Sequence, residues 1–255
     1  MPRTRLPAVL AVAAVLAVIG GIVVFQQFLA GDDVARLTLP PSATSSPGAS
    51  ATQVPSTDPS ASGTTSAAPG TATASELAGA WAVADGSVVG YRVREQVGGI
   101  SALTDAVGRT SAVTGSATLE ATGDSLAVTA ASFEADLSQL ESDEGRRDNR
   151  IRTMGLESDQ FPTGSFVLTE MIDVPADALT GSAVDVTLIG GLTIHGVTRS
   201  VSIPAQARLN GDRIEVVGAL TFPFSDFGMT PPDVAGFVSV EDDATMELLV
   251  SLARG

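Results

Sequence analysis

Cysteine is absent from the chain, which excludes disulfides, thiolate-ligated zinc or iron–sulfur centres and a cysteine nucleophile. Lysine is absent too, because all 14 basic residues are arginine. Lysine Schiff-base chemistry and a phosphate-loop lysine are therefore excluded. The single histidine, His195, provides no histidine cluster for a transition metal. Acidic residues number 29, and a net charge of -15 leaves no basic surface for sequence-independent nucleic-acid binding. No Gly-x-Ser-x-Gly elbow positions a serine nucleophile. Glu241, Asp242 and Asp243 lack the spacing of a calcium loop and read as a solvated turn. Neither a catalytic set nor a metal set is assigned.

The chain divides into three parts by composition. From Leu6 to Phe25 no residue is charged. A helix of that length is about 30 Å long, the hydrocarbon thickness of a bilayer. With Arg3 and Arg5 before it, residues 1–30 are expected to be a cytoplasmic stub and an uncleaved transmembrane anchor. The rest of the chain would then lie outside, giving a single-pass protein of the cytoplasmic membrane. Residues 31–76 are expected to be a linker. VARLTLPP at 34–41 keeps some apolar character, and from Pro41 to Ala74 almost every residue is Ala, Ser, Thr, Gly or Pro. Such a stretch buries too little apolar area to offset its ordering entropy, so it reads as disordered. Residues 77–255 are long enough for one domain with a sizeable core.

Within that domain apolar residues recur with period two, the mark of half-buried strands. Val89, Tyr91 and Val93 share one phase, as do Val201, Ile203, Ala205, Ala207 and Leu209, and Ala244, Met246, Leu248, Val250 and Leu252. Between Leu126-Val128-Ala130 and Phe133-Ala135-Leu137 the phase slips, predicting a bulge or bend near Ala131. Asn210-Gly211 is the strongest hairpin signal. Pro204, inside a strand pattern, predicts an edge position or a bulge. Short connections favour an antiparallel sheet, and no βαβ rhythm supports a Rossmann fold or TIM barrel. Residues 138–156 break the alternation with acids and arginines, predicting a short helix or a pair of turns.

Four stretches carry a resemblance. They are Trp81 to Asp85 with Ser87 and Val89-Gly90-Tyr91; Arg147-Asp148-Asn149-Arg150-Ile151-Arg152 followed by Phe161-Pro162; Gly191-Leu192-Thr193-Ile194-His195-Gly196-Val197-Thr198-Arg199; and Asp226-Phe227-Gly228-Met229. In this order the domain resembles the YceI-like family of lipid/polyisoprenoid-binding proteins. That resemblance implies an extended, lipocalin-like antiparallel β-barrel of about eight strands with a short helical insertion. Its interior would take a long isoprenoid or acyl chain, without catalysis. The pattern departs at Arg150, where the family usually has a histidine.

Small residues on the inferred inward rows, among them Gly115, Ala117, Ala130, Ala135, Ala205, Ala207 and Ala244, leave room for a cavity. Phe133, Phe166, Phe222, Phe224, Phe227 and Met246 are the candidate apolar contacts. Arg150 and Arg152 are candidate contacts for an anionic head group, since guanidinium groups make paired charge-assisted bonds. Arg147 and Asp148 read as structural, tying the insertion to the barrel, and His195 as structural within a turn. The function expected is membrane-tethered, extracytoplasmic binding of an isoprenoid or other long-chain lipid, as carrier or buffer. The alternative is a solid β domain used for protein contacts at the cell envelope. No cofactor is expected beyond such a lipid; the expected partners are that lipid and the membrane, not nucleic acid.

Overall fold

The computed structural model describes residues 34–42, 72–97, 103–234 and 238–255. Alternation becomes thirteen strands of one sheet: β1 (Gly79–Val83), β2 (Val88–Val97), β3 (Leu103–Thr110), β4 (Val113–Thr122), β5 (Ser125–Asp136), β6 (Glu141–Ser142), β7 (Thr163–Leu168), β8 (Ile172–Val174), β9 (Val184–Ile194), β10 (Val197–Asn210), β11 (Arg213–Pro223), β12 (Asp233–Val234) and β13 (Val238–Arg254). Among the described residues two α-helices accompany them, α1 (Ala74–Leu77) and α2 (Gly145–Thr153).

Eight strands close a ring in the order β1-β4-β5-β7-β9-β10-β11-β13, sealed by the antiparallel pairing of β1 with β13. The length of β13 makes closure possible. Its last residues pair with β1 (Leu252 with Val83, Arg254 with Trp81), whereas Val238 to Leu249 pair with β2. Through β2 the sheet continues to β3 and β6, and Val89, Tyr91 and Val93 of β2 and Ala106 of β3 line the same interior as the ring. The expectation of about eight strands thus becomes an eight-stranded barrel with extra strands.

Local chemistry explains the turns. Gly211 has a φ of +65°, and Asn210 pairs with Arg213, a two-residue hairpin. In the β9–β10 hairpin Ile194 pairs with Val197, and both central residues, His195 (+52°) and Gly196 (+71°), have positive φ. The phase slip appears as a register shift in the β4–β5 ladder: Thr118 pairs with Ala130 and Leu119 with Val128, so Thr129 is the extra residue. Here β5 bends and changes outer partner, from β8 at Leu126–Val128 to β7 at Ser132–Asp136. Pro204 pairs with Thr187, and β10 pairs with β11 only from Ala205 onward. The proline therefore marks an edge-like position inside a closed ring.

The expected transmembrane helix is corrected, together with the membrane partner, the membrane tether and the cytoplasmic-membrane localisation. Among the described residues no helix is long and apolar enough to cross a membrane. The helices described have four and nine residues, about 6 and 14 Å at 1.5 Å per residue, against a hydrocarbon core of about 30 Å. The run assigned to the anchor, 1–30, lies outside the described residues.

Two stretches within 31–76, read from composition as disordered, have defined positions. Thr73 caps α1 in a capping box with Glu76. Residues 34–42 lie against the outside of the barrel, where arginines bind their carbonyls. Composition measures how much a segment can bury by itself. It does not register main-chain groups that another surface satisfies.

Candidate functional site

Along β13 the inward row is Ala244, Met246, Leu248, Val250 and Leu252, all on the wall of an internal cavity of about 310 Å³. That volume lies at the lower end of the roughly 300–1,000 Å³ usual for ligand pockets. The opposite walls come from β4 and β5 (Ala117, Leu119, Val128, Phe133), β7 and β9 (Phe166, Leu188, Leu192), and β10 and β11 (Ile203, Val216, Phe222).

One end is closed. Leu77 and Ala74 of α1 are buried there, as is Trp81, which is 2% exposed. Trp81 Nε1 donates to Leu77 O at 2.9 Å, and the Arg254 guanidinium lies 5.2 Å from the ring centroid. At the other end the lining includes Arg147, Arg150, Ile151, Met154 and Gly155 from α2 and the residues just after it. Met154 is 45% exposed. This end is the mouth.

Small residues keep the interior hollow in two ways. Ala117, Ala135, Ala207 and Ala244 line the cavity directly. Gly115, Ala130 and Ala205, on the same inferred rows, are not part of the lining. Gly108, Gly115 and Gly190 instead let aromatic rings lie flat along the wall. A Cβ added to them would come within 2.3 Å of Tyr91 Cε1, 2.8 Å of Phe133 Cδ1 and 2.5 Å of Phe166 Cζ respectively. With side chains at those positions the rings would have to turn into the lumen. The sequence signal for this is glycine inside a strand pattern, which marks close approach.

Of the six apolar candidates, Phe133, Phe166, Phe222, Phe224 and Met246 line the cavity. Phe227 does not; it is 1% exposed and packs edge-on against Phe222, with ring centroids 4.8 Å apart. After Pro223 the chain turns as a 3-10 helix, Phe224–Phe227, so strand alternation no longer decides which way Phe227 faces. Phe227 is therefore a core residue.

Arg150 lines the mouth and forms no ion pair among the described residues; Arg152 lies outside the lining. Arg147 Nη2 donates to Glu95 Oε1 at 2.6 Å, and Nη1 bonds to Asp143. Burial opposes the charge on Arg147, but its bonds to Glu95 and Asp143 outweigh that and push its pKa up. The carboxylate of Asp148 turns to Ser142, accepting from its N–H at 3.0 Å and its hydroxyl at 2.6 Å. Arg147 and Asp148 thus fix α2 over the mouth through different partners. Sequence reasoning missed Glu95, 52 residues from Arg147. It also missed Tyr91 as a polar group: its hydroxyl is buried beside the cavity with Ser142 as polar neighbour but no well-formed hydrogen bond, and burial pushes the phenol pKa up.

At the same rim His195 Nε2 bonds to Glu157 Oε2 at 2.9 Å, Nδ1 lies 3.3 Å from Phe227 O, and the ring lies 4.2 Å from that of Phe161, centroid to centroid, tilted by 58°. Arg199 Nε donates to Asp226 O at 2.6 Å. Three of the stretches that carry the resemblance therefore meet around the mouth and hold its loops.

A YceI-like domain model matches residues 81–252. The chain belongs to the YceI-like family. Its YceI-like barrel is non-catalytic, as the family resemblance implies. Two curated relatives, UPF0312 proteins of Vibrio vulnificus strains YJ016 and CMCP6, are each 26% identical over 113 residues, 42% of this chain. The chain spans 56% of the length of these relatives. A solved structure, a polyisoprenoid binding domain from Saccharophagus degradans implicated in plant cell wall breakdown, is 15% identical with a TM-score of 0.50. That match covers 70% of this chain and 99% of the other, and shows a shared fold.

Proposed function

We propose that the barrel binds a long apolar chain, an isoprenoid or other long-chain lipid, as a carrier or buffer. The observation that carries this reading is the 310 Å³ cavity, closed by α1 at one end and walled by apolar side chains. A solid β domain used only for protein contacts would fill that volume with its own side chains. Each chain methylene transferred into such a site contributes about 0.8 kcal/mol, so a few isoprene units suffice without polar contacts. The structural relative's description as a polyisoprenoid binding domain supports the same ligand class. Arg150, free of ion pairs among the described residues, is the contact available to a polar head at the mouth.

Native mass spectrometry of protein purified without detergent tests the reading, with organic extraction of any adduct. A co-purified or titratable prenol or fatty acid is the expected result. Val128→Phe, which places a ring in the lumen, is expected to lower uptake at least tenfold while Trp81 fluorescence keeps its folded spectrum. An empty barrel that takes up neither lipid overturns the proposal and leaves the contact module. The head-group assignment is separate: alcohol and diphosphate forms of one isoprenoid should differ in affinity, and Arg150→Ala should remove the difference. Equal affinities in the original chain end that assignment.

A further inference from the structure

The outer face of the barrel carries an unusual concentration of buried charge. Glu247 and Glu215, each flanked by inward apolar residues, point away from the cavity, yet are 2% and 6% exposed. Glu247 Oε1 accepts from Arg92 Nε at 2.7 Å and Oε2 from Arg109 Nη2 at 3.1 Å. Glu215 Oε2 accepts from Arg208 Nη2 at 2.6 Å and Oε1 from Asn210 Nδ2 at 3.0 Å. The cover over these groups is residues 34–42 of the same chain. Arg92 Nη2 donates to Val34 O at 2.8 Å, Arg109 Nη2 to Ala35 O at 2.5 Å, and Arg208 Nη2 to Pro40 O. Arg208 Nη1 reaches Ser42 Oγ at 3.1 Å, and Arg36 places its guanidinium 3.9 Å from Glu247 Oε1. Val34, Leu37, Leu39 and Pro40 are half-buried, while Ala35, Arg36 and Thr38 face outward.

We propose that the outer wall spanning β3, β2, β13, β11 and β10 is a docking site for an extended peptide, whose occupant is the chain's own residues 34–42. Recognition works through the main chain. Three arginines on three strands each serve both a carboxylate and a peptide carbonyl, Arg92 through separate nitrogens and Arg109 and Arg208 through Nη2, which fixes the segment at both ends. The half-buried apolar residues and the Arg36–Glu247 attraction set its register. Topology favours the same chain over a second copy. Ser42 ends against Arg208 in the β10–β11 hairpin, and the Ala72 N–H donates to Leu179 O. A Cβ on neighbouring Gly181 would lie 3.3 Å from Leu209 O. The segment therefore leaves the wall and the chain re-enters the barrel at one rim. The 29 residues from 43 to 71 have a maximum reach of about 95 Å, far more than that rim requires. Docking has a functional consequence: it holds residue 34 at the side of the barrel beside β2 and β3, not at the end where β1 begins.

The absence of lysine makes the test clean. Between Arg5 and Arg92 trypsin has one cleavage point, after Arg36. In the full-length chain under native conditions, cleavage there is expected to be at least tenfold slower than in a synthetic peptide of residues 31–45. Arg109→Ala with Arg208→Ala should bring cleavage up to the peptide's rate. Leu39→Asp, which leaves every wall residue in place, should do the same with unchanged Trp81 fluorescence. Wild-type cleavage as fast as the peptide overturns the proposal, as does protection that survives both sets of substitutions. Protection that appears only with rising protein concentration, in step with a dimer, overturns occupancy by the same chain.

Discussion

The two faces of one wall make an instructive contrast. Along β13, Met246, Leu248 and Val250 face the cavity, while Glu247 and Ser251 face out. Both rows are largely buried, for different reasons. The inner row is withdrawn from water by barrel closure and needs no partner, since its stabilisation follows buried apolar area. In the outer row Glu247 is withdrawn by its arginine partners and the extended chain lying over them, and Ser251 by its bonds with Ser87 and Arg213. An apolar face tolerates exchange of one greasy group for another. A buried charged face tolerates little, because removing one member leaves the others unpaired.

Breaking the outer face should therefore have the largest effect. Glu247→Ala leaves Arg92 and Arg109 without their shared carboxylate, and a loss of about 3–5 kcal/mol is expected in urea unfolding followed by the sole tryptophan. A loss under about 1 kcal/mol would show that water, not the protein, satisfies these arginines. Next in size is Gly108→Ala on the inner face, expected to cost about 1–3 kcal/mol because the new methyl displaces the Tyr91 ring. A double-mutant cycle checks the cause: with Tyr91→Ala present, the same substitution should cost far less.

The smallest effect sharpens the contrast. Tyr91→Phe removes a buried hydroxyl that makes no well-formed hydrogen bond, with Ser142 its polar neighbour, so stability near neutral pH should hold or rise by up to about 1 kcal/mol. Burial raises the folded-state phenol pKa above its ordinary value of 10.0. The neutral phenol is thus favoured by folding, and its contribution is complete below pH 10 and is lost as pH rises beyond it. The single tyrosine makes this visible in near-ultraviolet absorbance: tyrosinate should be absent from the folded chain just above pH 10, and the phenylalanine variant should lose less stability there. Tyrosinate titrating at its ordinary pH would place the hydroxyl in water.

Strands and turns were legible because their causes are local. Alternation in residues 201–209 and 244–252, and Asn210-Gly211, act over a few neighbours. The bulge was read two residues away from Thr129, since a phase slip shows only that a residue is extra. Closure was not legible from alternation, because the pairing of Trp81 with Arg254 joins opposite ends of the domain. Five of six apolar candidates fell on the lining where strand geometry governed them; Phe227 escaped because a 3-10 turn intervenes. The docking of residues 34–42 was invisible for a chemical reason. Its main contacts are carbonyls, which every residue possesses.

Because α1 and Trp81 stopper the tube at its far end, loading and unloading on the proposed reading share the doorway under α2. A guest with two unlike ends would then back in tail-first and wait with its distinguishing end under α2. Handover would then be a matter of presenting a handle at the threshold, and anything that receives the cargo must approach from the side where Arg150 and Met154 stand.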